Sequence, residues 1–181
     1  RTLKEWDIRS IPVLSFDYEV DRLPFADESV DGVLICEVLE HFAVDPMFCL
    51  IEINRILKPN GFVVVTTPNA ASWYSIYRAL NHEHPSRWPV YSLDESKRRN
   101  HIHVREYLVS EVERLLDGAG FGGITTLTRD YAIQPPYRPI RGVDPNHRGE
   151  TIFSRGYKAG LPKKRAVPPL YLEDIDFKPR G

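Results

Sequence analysis

Two runs of aliphatic and β-branched residues constrain this chain more than anything else in it: Gly32 to Cys36 (Gly-Val-Leu-Ile-Cys) and Phe62 to Thr67 (Phe-Val-Val-Val-Thr-Thr). Runs that are continuously apolar, rather than alternating, suit strands covered on both faces of a parallel sheet. The residues between them read as a helix. Asp45 can cap it, Pro46 fits its first position, apolar Leu50, Ile53 and Leu57 recur at helical spacing, and Lys58-Pro59-Asn60-Gly61 stops it. Strand, helix and strand in that order predict a βαβ unit with a right-handed crossover, and therefore an open α/β sheet.

Downstream, Val112, Leu115, Leu116 and Ala119 follow a helical i, i+3, i+4, i+7 pattern, and Gly118 and Gly120 can end that helix. Ile124 to Arg129 and Thr151 to Lys158 read as two late strands, expected to form an antiparallel hairpin at one sheet edge. Between the halves, residues 70–100 hold Trp73, Tyr74, Tyr77, Trp88 and Tyr91 among His, Pro and Arg, and read as an aromatic lid or insertion or as an ordinary packed subdomain. Residues 161–181 form a Pro- and Lys-rich C-terminal extension to a domain of residues 1–160.

Composition narrows the function classes. The 181 residues are 42% hydrophobic with a formal net charge of −1, which is enough for one packed core and argues against a dedicated nucleic-acid binder, whose footprint is basic. No apolar run reaches the roughly 18 to 20 residues of a membrane span, and the first residues hold no apolar signal core, so a cytoplasmic protein is expected. Cys36 and Cys49 sit in apolar stretches without metal-type spacing and read as buried thiols in a reducing compartment.

Five stretches in one order and spacing carry a family likeness: Leu-Pro-Phe-Ala-Asp-Glu-Ser-Val-Asp (23–31), Cys-Glu-Val-Leu-Glu-His (36–41), Glu-Ile-Asn-Arg-Ile-Leu-Lys-Pro-Asn-Gly (52–61), Thr-Thr-Pro-Asn (66–69) and His-Val-Arg-Glu-Tyr (103–107). Together they resemble class I S-adenosylmethionine-dependent methyltransferases of the type 11 group. The resemblance implies a Rossmann-like sheet, mostly parallel with a C-terminal antiparallel hairpin, of which this chain holds the third to seventh strands. The N-terminal strands, with the glycine-rich turn that receives the methionine part of the cofactor, are missing on this reading. Gly118-Ala-Gly-Phe-Gly-Gly123 does not replace that turn, because it follows a helix and precedes a strand, the reverse of the order cofactor binding needs.

By the same resemblance, Asp17 or Glu19 accepts a hydrogen bond from the adenine of S-adenosylmethionine, with Asp17 favoured, Tyr18 flanks the ring or merely packs, and the Cys36 backbone lies beside the methionyl portion. Asp31, at the opposite end of its strand, is assigned a structural role. Glu37, Glu40 and His41 stand at i, i+3 and i+4, so a helical turn after the strand gathers them on one face. Two carboxylates and an imidazole invite a divalent cation or general acid/base work. Two branches of the superfamily, ubiquinone-pathway and small-RNA O-methyltransferases, resemble this stretch and use Glu-x-x-Glu-His as metal ligands, the second adding a distant His. Here His103 occupies that place, giving a set of Glu37, Glu40, His41 and His103 for Mg2+ or Mn2+, with His101 as a replacement ligand or a surface residue. The other reading makes His41 a general base for a hydroxyl substrate.

The expected function is S-adenosylmethionine-dependent O-methylation of a small molecule or a glycan by a C-terminal portion of the enzyme, with His41, Glu37 and Glu40 as catalytic residues. The alternative is an inactive methyltransferase-like binding or scaffold domain. Either version leaves a sheet edge to be covered, by a homodimer or by a partner chain. Leu108 stands where relatives often have a helix-capping Thr, so Ser110 is expected to cap one turn later.

Overall fold

The computed structural model of the protein describes residues 12–43, 45–86, 102–130 and 137–163. His101, Trp88, Tyr91, the Lys97-Arg98-Arg99 run and all but the first three residues of the C-terminal extension lie outside them.

Strand β1 (Val30–Cys36) runs parallel to β2 (Leu57–Pro68) through helix α1 (Pro46–Ile56), giving the expected βαβ unit. The helix starts as its sequence requires: Asp45 Oδ1 accepts the Met47 N–H at 2.8 Å and Pro46 fills the first turn. Its end differs from expectation. The chain passes from Ile56 directly into β2, so Lys58-Pro59-Asn60-Gly61 lies inside the strand rather than in a turn. Val30 pairs with Leu57 and Gly32 with Phe62, which leaves the intervening β2 residues as a bulge, with Asn60 in the left-handed region at φ 63°. Asn tolerates that conformation better than most side chains, which is why the stretch reads as a stop signal from sequence.

Helix α2 (Trp73–Leu80) is capped by Ser72, whose Oγ accepts the Ser75 N–H at 3.1 Å. Helix α3 (Val109–Gly118) begins at Val109 with Leu108 as its cap residue, so Ser110 falls within the first turn instead of capping. The missing hydroxyl is partly made up by Glu111, whose carboxylate accepts the Leu108 N–H at 2.9 Å. The helix closes through Gly120 at φ 90°, where a Cβ would stand 2.7 Å from the Leu161 carbonyl oxygen. The glycine string there is a helix end, as expected.

β3 (Phe121–Arg129) and β4 (Thr151–Lys158) form the C-terminal hairpin, and β4 inserts antiparallel beside β2, giving the order β1-β2-β4-β3. One face of this mixed sheet, with Ile35, Val63, Val65, Phe121 and Ile152, packs on Leu50 and Ile53 of α1 and Val112, Leu115 and Leu116 of α3. The expectation of cover on both faces is not met among the described residues. Leu34 is 67% exposed, and Phe62, Leu127 and Tyr157 are exposed on the same side. Cys36 falls on that open face and is exposed, against the expectation of a buried thiol, while Cys49 of α1 is buried. Period-2 alternation along β1 explains the difference, since Ile35 takes the covered side between them.

The third strand that the resemblance implies, with Asp17 or Glu19 at its end, is not formed in residues 12–17, and Tyr18–Val20 make a turn. Arg55 fastens the segment that follows. Its guanidinium donates to both Glu52 carboxylate oxygens, at 2.9 and 2.7 Å, to Asp27 Oδ1 at 2.7 Å and to the carbonyls of Leu23 and Phe25.

Candidate functional site

The site forms where β1 and β2 end side by side. Glu37, at φ 54°, turns the chain sharply off β1, and a single 3-10 turn, Leu39–His41, follows. This carries Glu40 over the end of β2, where Thr67 donates from its hydroxyl to Glu40 Oε2 at 2.8 Å. Residues 102–107 close the third side: the Val104 and Arg105 amides donate to the Glu40 carbonyl, and Tyr107 pairs with Asn69.

Glu40 is fully buried, and its second oxygen, Oε1, has no hydrogen-bond partner. Oε1 faces two imidazoles, at 3.7 Å from His41 Nε2 and 4.0 Å from His103 Nε2. The rings meet edge to face with centroids 5.0 Å apart. His41 Nδ1 lies 2.7 Å from the Ile102 carbonyl oxygen. A carbonyl can only accept, so in neutral His41 the proton sits on Nδ1 and the Nε2 lone pair points toward Glu40. A buried carboxylate oxygen is costly unless a cation or donor meets it, and these atoms of Glu40, His41 and His103 all lie within 4.8 Å of one another. Ligand atoms about 2.1 Å from one ion stand about 3 to 4 Å apart, a little closer than the 4.8 Å span of these three.

Glu37 is not gathered with them. Its Oε1 accepts the Thr66 hydroxyl at 2.7 Å and its amide donates to the Thr66 carbonyl at 3.0 Å, which prolongs the β1–β2 pairing by one step. Burial pushes its carboxyl up from the usual range, against the Thr66 hydrogen bond.

The cofactor candidates occupy the neighbouring turn. Asp17 is exposed and its Oδ1 accepts the Glu19 amide at 3.0 Å. Glu19 Oε1 accepts the Ala43 amide at 2.6 Å, so of the two acids it is Glu19 that ties the turn to the segment before α1. Tyr18 packs its ring edge to face on Phe42 at 4.9 Å, and burial raises its hydroxyl pKa. Cys36 stands exposed at the end of β1. Asp31, at the other end of that strand, pairs with Lys58 at 2.7 Å, in keeping with a structural part.

Sequence reasoning missed two contributors. Thr67 holds Glu40, and the hydroxyl-bearing Thr-Thr-Pro-Asn motif was its available signal. Asn69 donates from Nδ2 to the His147 and Gly149 carbonyls, both at 2.8 Å, fixing the loop before β4 over the same edge. Nothing local in sequence pairs residues so far apart.

In fold the chain is similar to Rossmann-like, class I methyltransferases: it superposes on a Thermotoga maritima structure described as a SAM-dependent methyltransferase, possible histamine N-methyltransferase, with a TM-score of 0.58 and 24% identity over 84% of this chain and 66% of that one. A SAM-dependent methyltransferase from Archaeoglobus fulgidus gives 0.54 at 14% identity, covering 86% of this chain and 72% of that one. In sequence, residues 4–65 match the family described as "Methyltransferase domain". A curated relative from Mycolicibacterium smegmatis, described as a probable S-adenosylmethionine-dependent methyltransferase, is 31% identical over 100 residues, 55% of this chain. The chain spans 32% of the length of that relative. Among the described residues no helix is long and apolar enough to cross a membrane.

Proposed function

We propose that the protein transfers a methyl group from S-adenosylmethionine to an oxygen of a small molecule or sugar, at the joint ends of β1 and β2. The observation that carries the reading is Glu40, a fully buried carboxylate with one oxygen unpartnered and two imidazole Nε2 atoms within 4.0 Å of it. Asp17 and Tyr18 receive the adenosyl end and the Cys36 backbone borders the methionyl end, at the C-terminal strand edge where open α/β sheets take ligands. The acceptor oxygen attacks the sulfonium methyl in line, the C–S bond breaks, and the acceptor's proton leaves to a base. Positioning supplies much of the acceleration in such a transfer.

Glu40, His41 and His103 would hold a divalent cation, with Glu37 withheld by Thr66. A bound cation lowers the pKa of an acceptor hydroxyl. One carboxylate and two imidazoles suit Mn2+ better than Mg2+, which prefers an all-oxygen shell. A second reading rests on the 18% exposure of the His41 side chain: its Nε2 lone pair is the general base. One lone pair cannot serve both roles, so the two readings exclude each other. The free thiols support a reducing, cytoplasmic setting. Further protein, preceding in the same polypeptide or in a second chain, covers the outer edge of β1 in the working enzyme.

Mn2+ titration followed by electron paramagnetic resonance separates the readings. The cation reading expects tight binding that Glu40→Gln weakens at least tenfold. Unchanged binding in that variant removes the cation, and His41→Ala then decides the base by its loss of turnover. Absence of cofactor binding in the full-length protein would leave the scaffold alternative.

A further inference from the structure

We propose that Glu106 is a positioning residue that fixes the His103 ring so that Nε2 presents its lone pair to Glu40. The inference deepens the cation reading above and rests on it for its metal arm alone.

The His103 ring lies between two carboxylates. Its Nε2 is 4.0 Å from Glu40 Oε1 and its Nδ1 is 3.9 Å from Glu106 Oε1. The His103 side chain is 9% exposed and that of Glu106 13%, so both acids act on the ring with little water between. A neutral imidazole carries one proton and must choose which carboxylate to serve. Glu106 is itself held in place. Ser86, beyond the end of α2, donates its hydroxyl to Glu106 Oε1 at 2.6 Å. Glu106 is thus the carboxylate that Nδ1 faces, and the proton on Nδ1 is the one it can engage.

His41 shows the same arrangement by different means. Its Nδ1 engages the Ile102 carbonyl and its Nε2 faces Glu40 Oε1. Both rings thus have an acceptor behind Nδ1 and turn Nε2 inward to one carboxylate oxygen. That is the pattern by which outer-shell acceptors fix the tautomer and raise the basicity of metal-ligating histidines, and removing such an acceptor typically costs about 10- to 100-fold in metal affinity.

The test reads the ring directly. Nitrogen NMR of the imidazoles in metal-free protein at about pH 8, where an ordinary histidine is neutral, should find His103 protonated on Nδ1 in the wild type. Glu106→Ala should shift it toward Nε2–H or a mixture and weaken Mn2+ binding at least tenfold. Glu106→Gln keeps an acceptor oxygen, so it should retain the Nδ1–H form with a smaller loss of affinity, and it serves if the alanine variant does not fold. A wild-type ring protonated on Nε2, or a tautomer and affinity untouched by Glu106→Ala in folded protein, would overturn the proposal. If the wild type fails to bind Mn2+, the cation reading falls, while the ring measurement still decides the positioning.

Discussion

At the scale of single residues, burial separates groups that look alike in sequence. Cys36 and Cys49 both sit in apolar stretches, yet desolvation pushes the Cys49 thiol up to about 12 while Cys36 is exposed. The thiolate is the nucleophile, so a maleimide or disulfide reagent should modify Cys36 within minutes and Cys49 only on unfolding. Equal rates in native protein would contradict the packing of α1. The sign also fixes a pH dependence: a thiol whose folded pKa is raised stabilises fully below its unfolded value near 9 and loses that contribution as pH climbs toward 12. Unfolding midpoints should therefore fall across that window less in Cys49→Ala than in wild type. The candidate site was legible in part. Glu40, His41 and His103 follow from spacing and from the family motifs, because a helical turn after a strand brings i+3 and i+4 together. Glu37 does not join them, because its positive φ aims the side chain back at Thr66. Thr67 and Glu106 escaped notice because their partners are set by tertiary packing.

Among the elements, each helix is held by a feature that can be varied alone. α3 starts on Leu108, which offers no side-chain cap. Leu108→Thr should supply one and raise stability by about 0.5 to 1 kcal/mol, read from denaturant midpoints, whereas a loss would mean that the half-buried leucine contributes more by packing. α1 carries the Glu52–Arg55 clamp on residues 23–27. Hydrogen bonding from Arg55, helped by the Leu23 amide, holds the Glu52 carboxyl below its ordinary range despite burial. That contribution is present above the unfolded value near 4.5 and disappears as pH falls through the depressed one. Glu52→Gln should hence be less stable at neutral pH and differ progressively less from wild type as the pH drops below 4.5; a constant gap would remove the ion pair from the account. The four strands and both flanking helices were readable from apolar runs and helical spacing. α2 was not, because its Trp-, Tyr- and Arg-rich residues read as part of the aromatic insertion of residues 70–100, and only Ser75 of the helix is buried. The early start of β2 was hidden because a bulge is built from the same Pro, Asn and Gly residues that end helices.

For the whole molecule, the sheet face left exposed among the described residues and the site at its end belong to one question, namely what covers that face. Leu34, 67% exposed, reports on it. Leu34→Ser in the 181-residue chain should change stability by less than about 0.5 kcal/mol, as surface substitutions do, while a cost of about 2 kcal/mol would mean that the face is already covered. The measurement that bears most directly on the central claim is calorimetric titration of S-adenosylhomocysteine into the full-length polypeptide carrying this chain and into its Asp17→Ala variant. The account predicts micromolar binding that weakens about 10- to 100-fold when the adenine acceptor is lost, a single charged hydrogen bond being worth about 1.5 to 3 kcal/mol. Absence of binding, or binding indifferent to Asp17, would contradict it.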